Sequence, residues 1–353
     1  VSKNRTLRIV QIRKKTGILL GVVILTSFSI FYATFYWDNT SFQEAKYEIY
    51  IESDWDFEVL KNTLSPHLRS ARLFGWAAEL KGYDIRIRSG KYTLVQGLSN
   101  NEIINKLRLQ SEPVQVTFNN QERIENLAGR LAEVLESDSL SFLKAMKSAS
   151  FLDQKGFSLD TALAMYLPNT YQVFWNISPE GFCERMHQEF EKFWSAERKA
   201  LAKQQGLSPL EVITLASIVH KETIKAVERP LIAGVYLNRL KQRMRLQADP
   251  TVIYALKQKF QNFDTIIKRV LYKDLRIRSP YNTYRVKKLP LGPIAMPDIS
   301  AIEAVLRPEK HSYLYFVANP EKPGYHRFAS SLAQHNRNKR KYTRWLNQNK
   351  LYR

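Results

Sequence analysis

The chain has 353 residues, 44% of them apolar and 12% aromatic, which is enough to bury a substantial core and excludes a disordered polymer. Its net charge of +21 invites a nucleic-acid reading until the charge is located. Six basic residues fall in the first sixteen positions and seven in residues 337–353, with no Asp or Glu in either tail, so only +8 remains between them and nucleic acid is not an expected partner.

The basic tail, residues 1–16, runs into GILLGVVILTSFSIFYATFY, residues 17–36, which carries no charge. Twenty apolar residues match the thickness of a bilayer core. The positive flank is expected to stay in the cytoplasm, leaving residues 37–353 outside it. A cleaved signal peptide is the competing reading, but its usual apolar core is shorter, and this run ends in Tyr, Phe and Trp rather than in a small-residue cleavage site. The expectation is an uncleaved, single-pass inner-membrane anchor with a cytoplasmic amino terminus and a periplasmic remainder. Cys183 is the single cysteine, so no internal disulfide forms. Zinc-cluster, HExxH, Walker and GxGxxG sequences are missing, and no metal or cofactor is expected.

Beyond the anchor, YEIYIES at residues 47–53 alternates as a strand, and FEVLKNTL has helical spacing. KGYDIRIRSGKYTL reads as two strands around a turn at Ser89–Gly90, and LSNNEIINKLRL opens a helix with Ser99 and Glu102 in capping-box spacing. These segments make a small α/β unit over residues 37–112. VQVTFNN starts a further strand and ERIENLAGRLAEVL an amphipathic helix, so residues 113–136 open either a second small unit or the next domain. After that the chain is mostly helical, through SLSFLKAMKSA and PEGFCERMHQEFEKFWSAERKALAKQ. The fold class is therefore α+β: an anchor helix, a small α/β unit, and a mainly helical mixed domain over residues 113–353. Near the end, AQHNRNKRKYTRWLNQNK reads as a solvated helix with a basic face.

Within the larger domain, GLSPLEVITLASIVHKET has an explicit start: Ser208 as N-cap, Pro209 at the first helical position and Glu211 closing a capping box. The register puts Val219, Ile218 and Leu215 three, four and seven residues before Glu222, and Ala226 four after it, while Lys221 and Lys225 point elsewhere. A carboxyl against an apolar surface loses hydration, which raises its pKa. A general acid working near neutral pH needs that shift. Spacing alone favours a rim position in which Glu222 caps a neighbour or pairs with a Lys or Arg. His220 is a candidate catalytic partner. Glu228 is the rival acid, although Arg229–Pro230 after it points to a helix start or an ion pair.

Downstream, Asp249–Pro250 in MRLQADPTVIY has the form of an N-cap followed by proline at N1, which gives Asp249 a mainly structural reading. Gln247 and Tyr254 offer an amide and a phenol suited to the hydroxyls and faces of a sugar. SPYNTYRVKKLPLGPIAMP, which holds Tyr281, Asn282 and Thr283, has loop composition. Long ordered loops on helical scaffolds are often functional. YLYFVANP and YHRFA read as strands, and the second bears His326, a candidate although a lone His is more often structural.

In chain order, ASIVHKET, ERPLIAGVYLNRL, MRLQADPTVIY, SPYNTY, LPLGPIAMP, YLYFVA and H-R-F followed by S-L-A-Q-H-N resemble the YceG-like family of endolytic murein transglycosylases over residues 216–336. YLPNTYQVFW is similar to the family's Pro-Asp-Thr-Tyr segment, with Asn169 where Asp is common. The resemblance implies a LysM-like unit in residues 37–112, a catalytic domain in residues 113–353, and Glu222 as the catalytic residue. Members often carry Glu-Lys-Glu where this chain has His220-Lys221-Glu222, which leaves Glu222 alone of that pair. The implied reaction cleaves the β-1,4 bond between N-acetylmuramic acid and N-acetylglucosamine in nascent glycan strands and leaves a 1,6-anhydro end. Ordinary glycosidases use two carboxyls, whereas here the sugar's 6-hydroxyl attacks and one Glu can act as acid and then base. Substrate-binding roles are expected for Gln247, Asp249, Tyr254, Tyr281, Asn282, Thr283 and His326, with glycan strands, the cell membrane and peptidoglycan synthases as partners. A non-catalytic glycan-binding scaffold for those synthases is the alternative.

Overall fold

The computed structural model describes residues 2–267 and 269–349; Val1 of the basic tail and Lys350 to Arg353 of the terminal basic stretch lie outside them. The chain divides into two compact units, residues 1–115 with 172–177, and residues 116–171 with 178–353.

The first unit opens with helix α1 (Ser2–Tyr36), in which Lys15–Tyr36 is long and apolar enough to cross a membrane. The last turn of α1 is tied down: Thr34 and Phe35 are buried, and the Asn100 amide donates to the Thr34 carbonyl at 2.8 Å. Next come β1 (Lys46–Ile51), α2 (Phe57–Leu64), α3 (Ala71–Leu80) and β2 (Gly90–Val95), with β1 and β2 antiparallel from Lys46 opposite Val95 to Ile51 opposite Gly90. Helix α4 (Asn100–Arg108) starts at the Ser99–Glu102 capping box that its sequence announces. Alternate strand residues Ile49, Ile51, Tyr92 and Leu94 bury one face of this two-stranded sheet against Leu60, Leu64, Phe74 and Ile104.

One expectation fails in this unit, and one helix goes unforeseen. Residues 83–88 form no strand: the Arg86 N–H turns back to the Tyr83 carbonyl at 3.1 Å, Tyr83 is buried and Ile85 is 85% exposed. The alternation there has no partner, since β2 pairs with β1 instead. Helix α3 is absent from the sequence reading, because Gly75 in its middle weakens the local helix signal.

In the second unit Phe118 of β3 (Pro113–Phe118) stacks on Tyr171 of β4 (Asn169–Phe174), and the Thr117 and Thr170 hydroxyls lie 2.8 Å apart. The helices are α5 (Ile124–Ala132), α6 (Ser139–Met146), α7 (Ala149–Gln154), α8 (Pro179–Phe193), α9 (Ala196–Gln205), α10 (Pro209–Glu222), α11 (Arg229–Lys241), α12 (Asp249–Lys259) and α13 (Ile299–Leu306). The stretch that reads as one long helix breaks between α8 and α9, where Trp194 buries its ring and the Ser195 hydroxyl caps the new helix. An antiparallel hairpin, β5 (Tyr315–Ala318) and β6 (His326–Ala329), precedes the terminal helix α14 (Leu332–Gln348).

Helix α10 is the buried axis of this unit. Its capping box and Pro209 sit as the sequence states, and every residue from Val212 to Val219 is buried. The Ser217 hydroxyl accepts the Ile294 N–H at 3.1 Å, which docks the long Pro-rich loop against the helix. Replacing Ser208 by Ala should cost about 1 kcal/mol, the usual worth of such a cap, read as a lower urea midpoint at unchanged slope. An unchanged midpoint would mean that packing alone holds the start of α10.

Candidate active site

Helix α10 stops at Glu222, and Thr223 beyond it is extended at φ −146° and ψ 135°. Ala226 is exposed in a separate short turn and does not share a helix face with Glu222, contrary to the spacing argument. The other neighbours hold, since Leu215, Ile218 and Val219 are fully buried. From α11, the Tyr236 hydroxyl donates to Glu222 Oε1 at 2.7 Å. Glu222 and Tyr236 line a cleft of about 390 Å³ together with Arg239, Gln247, Asp249, Tyr284 and Tyr315.

Burial pushes the Glu222 carboxyl up to about 7; the Tyr236 hydrogen bond and the Arg239 charge pull it down, and the Asp249 charge pushes it further up. Near neutrality such a group is about half protonated, so it can both give and accept a proton. Tyr236→Phe removes a donor that favours the carboxylate, so the alkaline limb of the pH–rate profile should move upward. A hydrogen bond to a charged group is worth about 1.5–3 kcal/mol, and about 1.4 kcal/mol corresponds to one pH unit, so the move should be about one unit or more. An unmoved limb would show that Tyr236 does not govern Glu222.

Arg239 braces the cleft. Its Nε donates to the Leu314 carbonyl at 2.6 Å and its Nη1 to the Leu246 and Arg245 carbonyls at 2.7 and 3.2 Å. The guanidinium carbon lies 5.1 Å from the centre of the Tyr315 ring. Burial lowers the Arg239 pKa from its usual value. These bonds pin residues 245–247 to α11, where Gln247 is held at φ 52°, a region non-glycine residues rarely occupy. Its N–H is bonded to the Thr283 carbonyl at 3.1 Å. On the α14 side, His335 stacks on Tyr315 at 5.2 Å, and burial with the Lys339 and Arg239 charges lowers its pKa.

The residues picked from the sequence fall in different places. Gln247 and Asp249 line the cleft with Glu222. Asp249 is not the N-cap: Ala248 holds that position without a side-chain bond, and the Asp249 carboxylate instead accepts the Tyr284 hydroxyl at 2.6 Å. A second acid therefore does stand in the cleft. Asn282 and Thr283 are fully buried framework. The Asn282 amide donates to the Leu275 and Ile277 carbonyls at 3.0 and 2.8 Å, and the Thr283 hydroxyl takes the Ala248 N–H at 3.0 Å beside Thr251. Neither presents a surface to a ligand.

Tyr254 and Tyr281 line another cavity, of about 600 Å³, where the Tyr281 hydroxyl donates to Asp160 at 2.9 Å. Five residues along a helix is about 140° past a full turn, so Tyr254 faces away from Asp249 on α12. His326 pairs with Glu228 through Nδ1 at 2.9 Å and through its N–H at 2.8 Å, closing β6 on the start of α11. Glu228 thus stands at the start of α11 as a hydrogen-bond partner of His326 and does not line the cleft. His220 lies 3.3 Å from Asp298, which also pairs with Arg229 at 2.9 Å, so it is held in a charge cluster rather than among the cleft residues. Tyr236, Arg239, Tyr284 and His335 are cleft residues that the sequence reading does not pick. Tyr236 and Arg239 are three apart on one helix face of ERPLIAGVYLNRL, and Tyr284 and His335 belong to SPYNTY and S-L-A-Q-H-N.

A glutamate poised near neutrality at the end of a buried helix, with a phenol donating to it, defines an acid–base site on a mixed, mainly helical fold. The chain belongs to the YceG-like family, whose profile matches residues 49–341. It is 31% identical over 293 residues to an endolytic murein transglycosylase of Bacillus subtilis (strain 168), covering 78% of each chain. A protein of the same name from Streptococcus pneumoniae (strain ATCC BAA-255 / R6) is 28% identical over 295 residues, 75% of this chain and 52% of that one, so the chain spans about half the length of the pneumococcal relative. The crystal structure of a yceG-like protein from Listeria monocytogenes aligns with a TM-score of 0.54 at 27% identity, covering 83% of this chain and 98% of that one.

Proposed function

We propose that the chain is a membrane-anchored endolytic murein transglycosylase that cuts the MurNAc-β-1,4-GlcNAc bond of nascent glycan strands and leaves a 1,6-anhydro-MurNAc end. The observation that carries this reading is the Glu222 carboxyl, raised to about 7 and hydrogen-bonded by Tyr236 at the wall of an open cleft. The names of the Bacillus and Streptococcus relatives support it.

In the acid form Glu222 protonates the bridging oxygen as the glycosidic C–O bond breaks. The resulting carboxylate takes the proton of the muramoyl 6-hydroxyl while that oxygen closes on the anomeric carbon, so the proton returns to Glu222 and no water is consumed. The Tyr236 hydroxyl and the Arg239 charge stabilise the carboxylate between the two transfers. Asp249, held by Tyr284, directs negative charge at the positive charge that develops on the sugar. Gln247 supplies an amide to sugar hydroxyls.

In this reading α1 anchors the chain with its amino terminus in the cytoplasm and the cleft in the periplasm, beside peptidoglycan synthases that make the substrate. The strand–helix–helix–strand order of β1, α2, α3 and β2 supports assigning residues 37–112 as a LysM-like unit. The test is product analysis by mass spectrometry after incubating the full chain, in detergent, with uncrosslinked glycan strands. Internal fragments with anhydro ends are expected. Hydrolysed reducing ends would replace the mechanism, and binding without cleavage would leave a glycan-binding scaffold.

A further inference from the structure

The apolar run of α1 overlaps the first unit instead of ending below it. A groove of about 460 Å³ lies between α1 and α3, with Ser27, Ile30 and Phe31 on one wall and Trp76 and Leu80 on the other. The α1 wall of the groove, from Ser27 to Phe35, belongs to the apolar run itself, so this end of α3 stands beside the membrane-spanning segment rather than clear of it.

Helix α3 presents the chemistry of a lipid boundary. Trp76 is 40% exposed and Leu80 72%. The Arg72 guanidinium sits 4.7 Å from the centre of the Trp76 ring. An aromatic ring with a cation over its face suits the headgroup level, where amphipathic rings and basic side chains collect. Glu79, exposed on the rim of the groove, bounds the depth, because a carboxylate does not enter the hydrocarbon. The unit has no slack with which to lift away, since Thr34 and Phe35 are buried in it and Asn100 holds the Thr34 carbonyl.

We infer that the Trp76–Leu80 end of α3 is seated in the headgroup layer of the same bilayer that α1 crosses, so that the first unit is a membrane-surface body; this rests on the anchor reading of α1. The test uses the full chain in vesicles of phosphatidylethanolamine and phosphatidylglycerol, with Leu80→Cys or Leu20→Cys carrying an environment-sensitive fluorophore; the buried Cys183 is left unlabelled. Leu80 is exposed enough for the substitution to leave the core alone. Nitroxides on lipid headgroups and high on the acyl chains should quench the Leu80 label by more than half, and nitroxides deep in the chains should quench the Leu20 label. Quenching at Leu20 with none at Leu80 overturns the inference and spares the anchor. Quenching at neither removes the anchor and the inference together.

Discussion

Glu222→Gln should lower the yield of anhydro-ended glycan by about 10²–10⁴-fold, the usual contribution of a general acid–base group. The amide keeps the oxygen that accepts from Tyr236, so the cleft should retain its shape. Undiminished yield from the full chain on a defined glycan would remove Glu222 from the chemistry. The same variant has a second signature of opposite sign. The carboxyl titrates near 4.5 when unfolded and at about 7 when folded, so the folded state binds its proton more tightly. The stability this confers is complete below pH 4.5 and is lost as pH rises through 7. The interval between 4.5 and about 7 is worth about 3 kcal/mol. Gln undergoes no such loss, so the inactive variant should match its parent at pH 4 and exceed it by up to about 3 kcal/mol at pH 8.5, read by urea denaturation at both values. Equal stability at both would show that the Glu222 pKa is not raised.

Arg239→Met should destabilise the fold by about 3–5 kcal/mol, the range for breaking a buried, charge-assisted network. The physical reason is what stays behind: the carbonyls of Leu314, Leu246 and Arg245 lose their donor inside the protein. For a unit of this size the thermal midpoint should fall by about 6–20 °C. Arg239→Lys keeps the charge without the fork and should fall between the two. A melting curve for Arg239→Met that overlays the parent's would mean that water takes over those carbonyls. Because Arg239 also favours the ionised form of Glu222, activity remaining in Arg239→Met should persist to higher pH than in the parent.

What was legible in the sequence is what local chemistry decides. Ser208 with Glu211, and Ser99 with Glu102, start their helices because a side chain bonds a backbone group three residues away, and no tertiary contact is needed. The apolar setting of Glu222 follows from that register. The end of the same helix was not legible, since Thr223 carries no stop signal and a helical wheel simply runs on to Ala226. Asp249–Pro250 satisfies two structures equally, and the choice is made by Tyr284, 35 residues on, whose hydroxyl claims the carboxylate. Asn282 and Thr283 show the same limit: their place in a long loop suggested a ligand, but their partners are Leu275, Ile277, Thr251 and Ala248, brought together only by folding. Residues 83–88 alternate as a strand should, and lack only a neighbour to pair with.

Glu222 is the last residue of a fourteen-residue helix. Peptide dipoles aligned along such a helix leave about half a negative charge at its carboxyl end. A carboxylate formed there meets the backbone's own field, which opposes ionisation in the same sense as burial. Part of the acid's tuning is therefore written in the direction of the chain, in peptide groups that every side-chain variant keeps. Substitutions at Asp249, Tyr236 or Arg239 can move the Glu222 proton, but none of them turns the helix around.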